Sequence, residues 1–135
     1  MSIEIRRNRQ LQLGHTVEFA TQPLPVDIGR DEGGDDSGPS PHDLYDAALG
    51  ACKALTVMWY ARRKSIPVED LAVSVERDAS QERAGRYQLT TAIKLGGNLS
   101  EAQLTELLAV AEKCPIHKLM TRVETVIHTT VTRMI

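Results

Sequence analysis

The chain has 135 residues, enough for one domain with one sizeable core, and we expect residues 1–135 to form a single domain. Its formal net charge is −2 and its Lys and Arg residues are scattered, so the composition favours neither nucleic acid nor an anionic membrane as a partner. With one Phe, three Tyr and one Trp, the chain offers little for a platform on which nucleic-acid bases could stack.

The N-terminus and the cysteine content bear on where the protein works. No apolar run reaches the ~20 residues that a membrane helix needs, and the basic N-terminus lacks the apolar stretch of a secretory signal. Two cysteines are too few for the disulfide framework of a small secreted protein. We therefore expect a cytoplasmic protein whose thiols rest reduced.

The N-terminal third combines short strands with a long loop. Alternating apolar and polar residues at Ile3–Ile5 and Leu11–Phe19 predict two or so half-buried strands. Residues 22–40 are crowded with Gly, Pro and Asp, which predicts a long irregular loop of the functional or mobile kind. A calcium site there is disfavoured, because the acidic residues lack the ligand spacing of an EF-hand.

A strong helix start follows the loop. Ser40 can cap the helix, Pro41 suits the first helical position, and Asp43 lies where a capping partner is expected. The predicted helix runs to about Lys64 and stops before Pro67. Apolar residues at steps of four and three give it one predicted apolar face, namely Leu44, Ala48, Ala51, Leu55 and Met58. Small residues around the rest of the helix predict that it is buried and closely approached by its neighbours.

The remaining elements complete a mixed fold. Apolar residues at every second position predict the two strands of a hairpin over Leu71–Asp78 and Tyr87–Leu95, and a final strand over Val123–Met134. Apolar residues at steps of three to four predict a second helix over residues 98–114. A short turn near Ile116 to Met120 is expected after the second helix. The order of strands, loop, helix, hairpin, helix and strand predicts an α+β fold.

Cys52 and Cys114 are the candidate reactive residues. Cys52 lies in the small-residue helix, and Cys114 ends the second helix directly before Pro115. A buried cysteine is often only a small apolar residue, and that alternative stays open for both. A nucleophilic Cys52 needs a nearby cation, which the distant helix N-terminus and the differently directed Lys53 cannot supply. Arg30, the only basic residue of the Gly-rich loop, is the candidate, with a solvated arginine as the alternative.

A zinc site is a further possibility that the sequence disfavours. Suitable ligand types are present at His42, Cys52, Cys114 and His117. However, His42 and Cys52 are separated by about 15 Å along one predicted helix, so one chain can hardly direct both at a single ion. We expect no metal and no cofactor, and interpret His15 and His128 as ordinary strand histidines.

Three segments of the chain resemble the OsmC/Ohr family, which comprises osmotically inducible protein C and the organic hydroperoxide resistance proteins. The segments are Gly38–Leu44, Ala47–Cys52 and Cys114–His117. The resemblance covers nearly the whole chain, including the order of strands and helices. It implies the OsmC-like fold and an intertwined homodimer whose active sites lie at the subunit interface, with the peroxidatic thiol on the long central helix.

The resemblance also implies residue roles. Cys52 corresponds to the peroxidatic cysteine, and Cys114 to the resolving one that closes a disulfide with its sulfenic acid. An external dithiol, in some members a lipoylated protein, then restores the thiols. Arg30 matches the family's activating arginine. Where the family has a Glu at the start of the central helix, this chain has His42, so His42 or Asp43 is the candidate for that role.

We therefore expect a cytoplasmic, homodimeric, antioxidant stress-response protein of the OsmC-like branch that reduces organic hydroperoxides. Because the family Glu is absent, a non-enzymatic redox sensor or a dimer that binds a small hydrophobic ligand is the alternative. A structural zinc protein is a third interpretation.

Overall fold

The computed structural model describes residues 2–135, within which five β-strands, three α-helices and two short 3-10 helices are formed. The predicted α+β class is confirmed. Backbone contacts divide the chain into two compact units, one that ends at Ala48 and a second over Leu49–Ile135, with the boundary inside the central helix. No helix in this described part has both the length and the apolarity to cross a bilayer.

The first unit contains a three-stranded antiparallel sheet in the order β1-β2-β3, over Glu4–Arg7, His15–Glu18 and Pro23–Val26. The third strand lies inside the segment 22–40 that was predicted to be loop. Pro23 and Pro25 obscure it, because proline has no N–H for a sheet ladder. Such prolines are tolerated at a sheet edge, which is where β3 lies.

A single carboxylate organises the loop after β3. The buried Asp27 side chain accepts a hydrogen bond from the Ser37 hydroxyl at 2.7 Å. It also accepts from the backbone N–H groups of Ile28 at 2.8 Å, Ser37 at 3.2 Å and Asp35 at 3.3 Å. These bonds, with the Ser37 hydroxyl and then the Ile28 N–H contributing most, hold the pKa of Asp27 below its usual value. Asp27 thus fixes the path of residues 27–37.

The central helix, α1, spans Pro41–Arg63 and begins as predicted. Ser40 Oγ accepts a hydrogen bond from the Asp43 N–H at 3.1 Å, and the Asp43 carboxylate accepts one from the Ser40 N–H at 3.0 Å. This reciprocal pair is a capping box. It confirms Ser40 as the cap and shows that the Asp43 carboxylate is engaged there.

The face of α1 that packs inward differs from the predicted one. Leu55 is 70% exposed, and Ala48 and Ala51 are also exposed. The buried face instead carries Leu49, Gly50, Lys53, Val57 and Ala61. The sequence could not separate the two faces, because both have apolar or small residues at helical spacing and the inner one includes a lysine.

The second unit begins within α1 and continues with an antiparallel hairpin and two helices. The hairpin consists of β4 (Asp70–Asp78) and β5 (Gln88–Gly96), and the helices are α2 (Glu101–Glu112) and α3 (Pro115–Arg122). The hairpin and α2 confirm the predictions, and α2 begins with a capping box formed by Ser100 and Gln103. The predicted short turn near Ile116 is an eight-residue helix, α3. The core consists of Val57, Ala61, Ile66, Leu107 and Ala111.

The strand predicted over Val123–Met134 is not formed. Residues 123–135 belong to no helix or strand, and Val131 is 93% exposed. A strand exists only where a neighbouring backbone pairs with it. Within residues 2–135, no backbone hydrogen bond outside the helices and strands involves this tail. The alternating sequence therefore has the pattern of a strand without a partner strand.

Candidate functional site

The two cysteines are free thiols with very different surroundings in the second unit. Cys52 is half-buried on α1, with its Sγ 3.9 Å from the Thr56 hydroxyl one turn further along. Cys114 is 0% exposed and forms the N-cap of α3, with Pro115 at the first helical position. Because oxidation of a thiol requires access, Cys52 is the better placed of the two to meet a reagent first.

Arg30 and His42 lie in the first unit. Arg30 is exposed and opens a short 3-10 helix between Gly29 and Gly33, whose φ of 95° suits glycine. Among residues 2–135, the Arg30 guanidinium makes no ion pair or side-chain hydrogen bond. His42 is the second residue of α1 and is exposed. The roles of Arg30, His42 and both cysteines remain predictions.

Lys53 is a polar core residue that sequence reasoning missed. It is only 4% exposed, and its Nζ donates a hydrogen bond to the Ala111 carbonyl oxygen at 2.9 Å. The same Nζ lies 2.9 Å from His117 Nδ1. An ammonium has only donors, so Nδ1 is the acceptor and the imidazole proton is on Nε2. The helical spacing of Lys53 with Val57 and Ala61 did not reveal its burial, because a lysine beside an apolar face normally keeps its ammonium in solvent.

Ala111 connects this lysine to the second cysteine. The Ala111 carbonyl oxygen also accepts a hydrogen bond from the Cys114 backbone N–H at 3.3 Å. Lys53 Nζ and the Cys114 backbone nitrogen are therefore both within hydrogen-bonding distance of one oxygen. His117, one turn after Cys114, completes the arrangement, so the segment from Cys114 to His117 is anchored to α1 through Lys53.

A cavity of about 540 Å³ adjoins the Lys53–His117 pair, entirely within the second unit. Most of its wall residues are aliphatic and come from α1, β5 and α2, while His117 comes from α3. The wall includes Lys53, Val57, Ile93, Leu107, Glu112 and His117. A volume of this size is in the range of small-molecule sites. Within residues 2–135, no three His, Cys, Asp or Glu side chains are grouped so that they could hold a metal ion.

Solved structures of low sequence identity share this fold. An OsmC-like protein from Mycoplasma pneumoniae is 20% identical, with a TM-score of 0.73, and the match covers 90% of this chain and 87% of that one. An organic hydroperoxide resistance protein OsmC from Legionella pneumophila is 20% identical, with a TM-score of 0.63 and 90% of each chain covered. The organic hydroperoxide resistance protein OhrB of Bacillus subtilis is 18% identical, with a TM-score of 0.59 and 90% of each chain covered.

A search of the curated proteins gave no match. The family model of OsmC-like proteins matches residues 34–129, which include the end of the Asp27 loop, all of α1 and both cysteines. This match extends over more than half of the chain, and the solved structures share its fold. The chain therefore belongs to the family of OsmC-like proteins.

Proposed function

We propose that the protein is a thiol-dependent peroxidase that reduces organic hydroperoxides. The observation that carries this proposal is the pair of free thiols of unequal exposure in a chain of the OsmC-like family. Two related structures in the comparison are of proteins named for organic hydroperoxide resistance. A half-buried first thiol and a fully buried second thiol suit an attacking and a resolving cysteine, respectively.

The proposed reaction has three steps. The Cys52 thiolate attacks the terminal oxygen of the hydroperoxide, the O–O bond breaks, and the alkoxide takes a proton from solvent and leaves as the alcohol. Cys52 is then a sulfenic acid, whose sulfur the Cys114 thiol attacks, forming the disulfide and releasing water. An external dithiol, such as that of a lipoylated protein, reduces the disulfide by thiol–disulfide exchange and is itself oxidised.

Arg30 and His42 are proposed as the supporting residues. Arg30 is the candidate for balancing the charge of the Cys52 thiolate, because no carboxylate in residues 2–135 engages its guanidinium. The Asp43 carboxylate is occupied as a helix cap, so His42 is the better candidate for the position of the family Glu.

Free thiols also favour a cytoplasmic location, where cellular reductants maintain them.

We also propose that the protein is a homodimer. The outward face of α1 is apolar, with Tyr45, Leu55 and Trp59 exposed, and the C-terminal tail exposes Ile127 and Val131. A second copy would cover this surface and could supply the missing strand partner for residues 123–135. Sedimentation should give twice the mass of one chain. Leu55→Glu should shift the protein towards monomer, whereas Arg83→Glu, in the exposed hairpin turn, should not.

Steady-state consumption of cumene hydroperoxide with dihydrolipoamide tests the activity. We expect turnover in the unmodified protein and none in Cys52→Ser, whereas Cys114→Ser should consume about one equivalent and then stop. Turnover that survives Cys52→Ser would contradict the proposal. A single oxidation of the unmodified protein without turnover would instead favour the redox sensor or ligand-binding dimer, which the replacement of the family Glu by His42 supports.

A further inference from the structure

Lys53 is a buried positive charge that forms no ion pair within the part of the chain that the structure describes. Its two hydrogen-bonding partners, the Ala111 carbonyl and the His117 imidazole, are both neutral acceptors. Within residues 2–135, no carboxylate oxygen forms an ion pair with Lys53 Nζ. A buried ammonium is costly unless it is paired, and two neutral hydrogen bonds offset that cost only in part. The third N–H of the ammonium has no partner in the described part of the chain.

The cavity beside Lys53 could hold the missing negative charge. Lys53 and His117 lie in its wall, and most of the rest is aliphatic. The other charged group in the wall is Glu112, which is exposed, so solvent screens its carboxylate far more than it screens the Lys53 ammonium. The cavity wall therefore combines one buried cation, Lys53, with several aliphatic side chains.

We propose that this cavity binds a medium-chain aliphatic carboxylate. Its carboxylate would accept a charge-assisted hydrogen bond from Lys53 Nζ, and its chain would lie against Val57, Ile93 and Leu107. Charge complementarity favours this occupant over a purely apolar one, because only an anion compensates Lys53. The site goes beyond the proposed peroxidase function, since binding requires no reaction of either thiol.

Calorimetric titration of the reduced full-length protein with decanoate, below its micelle concentration, tests the proposal. We expect saturable binding that is at least tenfold tighter for decanoate than for decanol. In Lys53→Met, decanoate should lose at least tenfold in affinity, about 1.4 kcal/mol, while decanol changes by less than about threefold. Lys94→Met is the matched control, because Lys94 is an exposed residue of β5 that does not line the cavity.

Lys53→Met removes the cost of burying the ammonium but takes the donor away from the Ala111 carbonyl and His117 Nδ1, so circular dichroism must first show that the variant keeps its fold. A second measurement does not depend on that variant. Nuclear Overhauser contacts from ¹³C-labelled decanoate to the Leu107 methyl groups should appear in the unmodified protein. Equal affinities for decanoate and decanol, unchanged binding in Lys53→Met, or absent contacts would overturn the proposal. If a second copy of the chain covers the cavity in the dimer and decanoate therefore does not bind, the proposal is overturned as well.

The binding test is independent of the peroxidase test. Cys52→Ser should bind decanoate with the same affinity as the unmodified protein, because Cys52 is not among the residues of the cavity wall. A protein that binds decanoate without consuming hydroperoxide would refute only the proposed peroxidase. A protein that consumes hydroperoxide but does not bind decanoate would refute only the carboxylate site.

Discussion

Leu107 provides a quantitative test of the core of the second unit. Its side chain is 1% exposed and packs with Val57, Ala61 and Ala111. Leu107→Ala removes about three methylene-sized groups, which at about 0.8 kcal/mol each gives about 2.4 kcal/mol of lost burial. A partly unrelaxed cavity adds to this, so we expect the free energy of unfolding to fall by about 3–4 kcal/mol. In urea, the unfolding midpoint should fall by about 2 M.

Leu108 is the matched control, because it is the next residue of α2 and is 57% exposed. Leu108→Ala should lower the free energy of unfolding by less than about 1 kcal/mol. Both variants are unfolded in urea at one fixed protein concentration, since association would make stability depend on concentration. Equal losses in the two variants would refute this account of which face of α2 forms the core.

Three further substitutions test other features. Gly50→Ala gains about 1 kcal/mol of helix propensity, but the new Cβ would lie 2.8 Å from Val75 Cγ2. Thermal unfolding should therefore show a net loss of about 1 kcal/mol in the free energy of unfolding. Adding Val75→Ala to this variant should restore most of that loss. Because the pKa of Asp27 is lowered in the folded protein, the Asp27 carboxylate stabilises the fold above the usual aspartate pKa of 3.8. This stabilisation is lost as the pH falls through the pKa that Asp27 has in the folded protein. Asp27→Asn should therefore be less stable than the unmodified protein at pH 6, and should lose less stability than it between about pH 4 and pH 2. The hydrogen bond to Glu106 raises the pKa of Tyr60 above 10.0. This bond therefore stabilises the fold fully below about pH 10, and the stabilisation is lost as the pH rises through the raised pKa. Ultraviolet titration should show one late-ionising tyrosine, which Tyr60→Phe removes. An unchanged acid profile in Asp27→Asn or an unchanged titration in Tyr60→Phe would contradict these assignments.

Much of the fold could be predicted because its signals are local. The Ser40 cap, the proline that follows it and the alternation in the hairpin act over a few residues. The helices α1 and α2 and both hairpin strands begin and end close to the predicted positions. The strand at Pro23–Val26 was missed because its prolines resemble loop residues. The tail after Val123 shows the opposite case, in which a strand pattern has no pairing partner among residues 2–135. The single-domain organisation remains a prediction.

The candidate site was predictable only in part. The cysteines and His117 stand in recognisable motifs. Cys114 was predicted to end the second helix, but α2 ends at Glu112 and Cys114 caps the start of α3, because Pro115 suits a first helical position. The role of Lys53 depends on which face of α1 turns inward, and that is decided by packing against α2 rather than by local sequence. A lysine at helical spacing with apolar residues normally predicts an exposed edge, so its burial could be found only from the three-dimensional structure.

Cys52 and Cys114 are proposed to act as one redox pair. Mass spectrometry of the unmodified protein after one equivalent of cumene hydroperoxide, without added reductant, tests this proposal most directly. We expect a mass lower by two hydrogen atoms, with a Cys52–Cys114 cross-link in the peptide map, and no such loss in Cys114→Ser. A product that gains oxygen on Cys52 while Cys114 stays a free thiol would contradict it.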